Sequence, residues 1–68
     1  KRALYDNLGQ DEALAVKVDA AVRKNLQDGW RENAIKTKKV QLGIKAVLGD
    51  DEERVTQALA IVRAQHEY

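Results

Sequence analysis

The chain contains no cysteine, proline, methionine or phenylalanine. Each absence removes an option. Without Cys there is no disulfide and no thiolate zinc site, and a lone His offers no pair of imidazoles for a metal. With one Trp and two Tyr as its only aromatics, the core must be built from Ala, Val, Leu and Ile. Such a core suits close-packed helices better than a sheet, which favours aromatic and β-branched side chains. The absence of Pro, the four Gly and a charged fraction of 34% point the same way. No apolar run approaches the roughly 20 residues that span a bilayer. The lack of Cys fits a reducing compartment. There is no signal-peptide pattern and residue 1 is Lys, so we expect a piece of a longer chain. A net charge of +1 gives no bulk attraction for nucleic acid, and any such contact must be local.

What remains is 68 residues, one domain at most. A domain of this size buries only about 60% of the surface that its unfolded chain exposes. Gly and acidic residues divide it into four helices. "KRALYDNLG" is expected to be a short first helix, with Leu4, Tyr5 and Leu8 on one side and Gly9 as a left-handed terminator. Asp11 caps a second helix, "DEALAVKVDAAVRKNLQ", with Glu12 near its positive end. "DGWREN" is a turn, Asn33 caps a third helix that runs to Leu48, and Gly49 stops it. Asp50 or Asp51 caps the fourth, "GDDEERV" placing acids on its first turn. The expected fold is a small all-α bundle of about four helices, the first one short.

The hydrophobic periodicity raises a question. The second helix has a main stripe of Leu14, Val18, Ala21 and Val22, and a smaller one of Ala13, Val16 and Ala20. The third has Val40, Ile44, Val47 and Leu48 on one face, and Ile35, Leu42 and Ala46 on another. The fourth has Val55, Ala58, Leu59 and Val62, with Ile61, Ala64 and Tyr68 apart from them. A surface helix needs one stripe. Either each helix packs between two neighbours, or some second stripes meet a partner, a second copy of the chain included.

"QDGWRENAIKTKKV" (27–40) holds the single Trp, which runs into a basic patch: Arg31, Lys36, Lys38 and Lys39 against one acid after the Trp, Glu32. Short helices joined by a Gly turn are compatible with a DNA-binding helix-turn-helix, with Lys36, Lys38, Lys39 and Lys45 on phosphates. A solvated helix surface explains the patch more simply: it is short, and the acids at 50–53 offset it. Trp30 is expected to pack over the helix ends with its indole N–H on a carbonyl, or to anchor an interface together with Arg31. "DDEE" fits a helix N-terminus better than a metal site, since no second acidic cluster has ligand spacing. Asp19 can pair with Arg23 one turn on, or reach the Trp30 turn. His66 is expected to be a partly exposed surface residue. No phosphate-binding glycine loop and no nucleophile-base set is present, so no catalysis is expected from these residues.

The order of motifs "ALYDNL", "D-A-A-V-R", "D-G-W-R", a Lys-rich entry to the third helix and a closing "Q-x-E-Y" covers nearly the whole chain. In this it resembles the C-terminal end of the R (restriction, or motor) subunit of type I restriction–modification enzymes. The resemblance implies a bacterial or archaeal cytoplasmic parent, an ATP-dependent site-specific deoxyribonuclease that uses ATP, Mg²⁺ and double-stranded DNA. Its nuclease and motor motifs are not in this sequence, so no catalytic, cofactor-binding or metal-ligating residue is carried over. The helical region of such subunits is associated with assembly onto the methyltransferase core of modification and specificity subunits. On this basis we expect a non-catalytic docking module that uses Trp30, Arg31, Lys36 and Lys39, supported by Val16 or Leu42. Phosphate contact by Lys36, Lys38, Lys39 and Lys45 is the alternative.

Overall fold

A computed structural model describes residues 2–65 and 68; His66, and with it the surface role expected for it, lies outside the described residues. The elements are α1 (Arg2–Asn7), α2 (Glu12–Asn25), a 3-10 turn (Trp30–Glu32), α3 (Ala34–Leu48) and α4 (Glu52–Ala64). The all-α bundle with a short first helix is what the sequence predicts.

The helix ends follow from local chemistry. Asp11 accepts the amide of Leu14 at 3.0 Å. Asn33 accepts those of Ile35 and Lys36 at 3.0 and 3.1 Å. Of the two candidates for the last cap it is Asp51 that accepts, from Arg54 at 3.2 Å. Each side chain thereby satisfies donors that the first helical turn leaves without a carbonyl. α1 ends with Gly9 at φ 71° and Gln10 at φ 61°. The Gln10 amide reaches back to the Tyr5 carbonyl at 2.9 Å, the long closing bond of a Schellman motif. Gly49 ends α3 at φ 78°, ψ −150°, a region that only Gly adopts freely.

The helices form a closed ring. α3 packs against α2, α4 and the 3-10 turn, while α1 lies against both α2 and α4. Leu4, Val18, Val22, Val40, Ile44 and Val62 are fully buried at its centre. Leu8, Ala15, Trp30, Val55 and Ala58 complete the core. The main stripes read from the sequence therefore point inward, although Ala15, which belongs to neither stripe, is buried and Ala21 is only half-buried. Every helix does lie between two neighbours, yet this absorbs only part of the second stripes. Ile61 and Tyr68 pack against the core, whereas Val16 (52%), Leu42 (51%) and Ile35 (74%) stand in solvent.

α2 and α3 approach closely at Gly43. A β-carbon there would lie 2.5 Å from Asn25 Nδ2 and 3.3 Å from the Ala21 carbonyl oxygen. The Asn25 amide is itself held on that carbonyl at 2.7 Å. Gly43→Ala gains about 1 kcal/mol of helix propensity but displaces the end of Asn25 and its bond, a loss of similar size. Urea denaturation should therefore find Gly43→Ala close to neutral. Gly43→Leu, which drives the two helices apart, should cost about 1–3 kcal/mol.

Candidate functional site

The basic stretch that stood out in the sequence divides into two parts with different work. The first part is internal. Trp30 is 4% exposed, so its ring belongs to the core and offers no free anchor. Its carbonyl accepts from the Asn33 amide at 3.3 Å and from the Thr37 hydroxyl at 2.5 Å. Its indole N–H, expected on a carbonyl, has no hydrogen-bond partner among the described residues. Arg31 lies over the Trp30 ring with its guanidinium carbon 4.8 Å from the centroid. It donates to the Arg63 carbonyl at 3.1 Å and to the Gln65 carbonyl at 2.7 Å, and Arg63 donates back to the Arg31 carbonyl at 3.2 Å. These acceptors are among the carbonyls that the end of α4 leaves without helical partners, where a cation also complements the helix dipole. Lys36 donates to the Asp28 carbonyl at 2.7 Å and fastens the turn to the start of α3. Trp30, Arg31 and Lys36 thus hold the corner together.

A second internal cluster forms around Asp19, which is 8% exposed. Arg23 Nε donates to it at 3.0 Å, the pairing along α2 that its spacing predicts. The Tyr68 hydroxyl donates to its other oxygen, and Arg23 stacks over the Tyr68 ring at 5.0 Å. A buried carboxylate is costly unless paired and hydrogen-bonded, and here it receives both kinds of contact.

The second part of the basic stretch faces outward. Lys38, Lys39 and Lys45 are exposed. Lys38 and Lys45 line the groove between α3 and α4 together with Leu42 and Glu52. Lys39 lines the groove on the other side, between α2 and α3, with Lys24, Asn25, Leu42, Gly43 and Ala46. Leu42 stands between the two grooves. Val16 belongs elsewhere, in the cleft between α1 and α2 with Arg2, Tyr5 and Glu12. Of the expected docking residues, then, only Lys39 and Leu42 come together on an open surface. Of the expected phosphate contacts, Lys36 is engaged inward and the rest divide between two grooves.

Sequence reasoning placed Ile35 and Lys24 outside the candidate set. Ile35, Lys39, Leu42 and Ala46 follow one another at intervals of four, three and four residues. That spacing is the seam of a coiled coil and was available in the sequence. Of the acids at 50–53, Asp51 is a cap and Glu52 and Glu53 lie in the first turn of α4. Among the described residues no three His, Cys, Asp or Glu side chains gather to hold a metal ion. Nor is any helix there long and apolar enough to cross a membrane. No protein-family model, curated protein or solved structure matches the chain.

Three outcomes follow for the corner. Trp30→Ala should cost roughly 3–5 kcal/mol, comparable to the whole stability of so small a domain, and circular dichroism should show loss of the fold. Trp30→Phe should remain helical, since the indole N–H has no bond to lose. Arg31→Ala should lower the urea midpoint by the equivalent of about 2 kcal/mol, because it removes charge-assisted bonds to two carbonyls.

Proposed function

We propose that this chain is a non-catalytic assembly module, docking through the exposed ridge of α3. The observation that carries this is the pair Ile35 and Leu42. Two large aliphatic side chains stand in solvent on one face of a helix whose other face is fully used in the core, and lysines flank them. A small domain gains stability from every apolar residue that it buries, so a row left outside is a surface kept for a partner. The order of its motifs supports placing the module at the C-terminal end of a type I restriction R subunit in a bacterial or archaeal cytoplasm. There its partner is the methyltransferase core of modification and specificity subunits. ATP and Mg²⁺ serve the parent's motor and nuclease domains. The residues present here do not fit either group, having no glycine-rich phosphate loop and, among those described, no three His, Cys, Asp or Glu side chains gathered to hold a metal ion.

Contact with double-stranded DNA is the weaker reading. Lys36 already holds the Asp28 carbonyl, and Ile35 and Leu42 protrude where a phosphate backbone would have to run. The test is a calorimetric titration of the chain into the methyltransferase core at two salt concentrations. Leu42→Asp, at an exposed position that leaves the fold intact by circular dichroism, should weaken association at least about tenfold, as the loss of a well-packed central contact does. Val16→Asp should leave it unchanged. Association with DNA instead, falling by about one unit of log-log salt slope for each lysine contacting phosphate, would replace docking with phosphate contact.

A further inference from the structure

The seam on α3 specifies the chemistry of what covers it. Ile35, Lys39, Leu42 and Ala46 fall in line along α3, with eleven rises of 1.5 Å between the first and the last, about 16 Å of helix. Both aliphatic members are more than half exposed. Three of the seam's members, Lys39, Leu42 and Ala46, line a groove together with Gly43 and with Lys24 of α2. Among the described residues no acid lines this groove, and Glu52 is the one acid lining the α3–α4 groove that holds Lys38 and Lys45. The ammonium groups of Lys24, Lys38, Lys39 and Lys45 make no ion pair or hydrogen bond among the described residues. The face therefore combines small and aliphatic residues at coiled-coil spacing with a cation at a central position and further cations on its flanks.

Resting on the docking role proposed above, we infer that the occupant of this seam is an acidic amphipathic helix of a partner protein. Its apolar residues cover Ile35, Leu42 and Ala46, and its carboxylates meet Lys39 at the centre and Lys24, Lys38 and Lys45 at the sides. Three features select this occupant. The four-three-four spacing is what a second helix needs to insert its own side chains between these. A lysine at a seam position is buried when a helix covers it and has to be answered by a carboxylate, which fixes register. A second copy of this chain brings the same lysines to the face instead of carboxylates, and so does not answer its charge. The flanking cations also favour rapid encounter with an acidic segment over a neutral one.

The experiment is a fluorescence-anisotropy titration of the folded chain against a labelled synthetic helical peptide, with leucines at four-three spacing and glutamates flanking them. One control peptide exchanges glutamate for lysine, a second exchanges leucine for glutamine, and a duplex DNA of matched charge serves as third ligand. We expect the acidic leucine peptide alone to bind and to displace the chain from the methyltransferase core. Lys39→Glu should weaken it by about tenfold or more, the usual scale for reversing a charge at the centre of an interface. Lys39→Gln, which keeps the surface polar but uncharged, should fall between. Binding of the glutamine peptide at equal strength would overturn the inference in favour of charge alone, and binding of the duplex alone would overturn it in favour of phosphate. If the core binds the chain but the peptide neither binds nor displaces it, docking stands and the acidic helix falls. If neither core nor peptide binds, both fall together.

Discussion

Arg31 joins parts of the chain that local preference alone would leave apart. It reaches across 32 and 34 positions of sequence to the carbonyls of Arg63 and Gln65. At its own end it covers the ring of Trp30, whose side chain fills the core. The end of α4, the start of α3 and the turn that follows α2 are thereby fixed to one another at a single corner. In a domain with so little interior, few residues can hold three elements at once. An aromatic ring with a guanidinium over it contributes apolar area and directed hydrogen bonds in the same few ångströms.

The cations of this chain show how one residue type divides between structure and surface. Arg23 serves the buried Asp19, Arg31 and Arg63 serve the end of α4, and Lys36 serves the turn. Three of these four are arginines, whose planar donors can satisfy an acceptor and stack on a ring together. The outward-facing cations of α3 are instead lysines, which keep their hydration. The separation means that the charge of the α3 ridge can be altered without loosening the corner.

Much of the fold could be read from the sequence because its causes are local. Asp11, Asn33 and Asp51 cap helices by contacts spanning two or three residues, and Gly9 and Gly49 end them through their own backbone angles. The inward stripes of α2, α3 and α4 follow from a period of 3.6 residues. What could not be read depends on distance along the chain. Nothing near Arg31 says that its acceptors lie at the far end of α4, and nothing near Tyr68 says that its hydroxyl meets Asp19. For that reason the candidate surface was only partly legible. Trp30, Arg31 and Lys36 drew attention by their type and proved to be spent within the molecule, while Lys39 and Leu42 remained outside. Ile35 was visible as a member of a second stripe, but only the completed ring of helices shows that this stripe stays uncovered.

The packing of α1 against α4 has a consequence for how the chain is made. Leu4 and Leu8 are buried, and Asn7 donates to Gln57 across the same seam at 3.2 Å. The first helix of the module is thus covered in part by its last. Until α4 has emerged, α1 has part of its burial site missing, and Leu4 and Leu8 wait in water. Helix formation in α2 and α3 can proceed during synthesis, since their contacts are near in sequence. Closure of the ring cannot, and it makes the module cooperative from end to end: nascent chains become native in one late step, and a shortened transcript would release a product with an open, adhesive side.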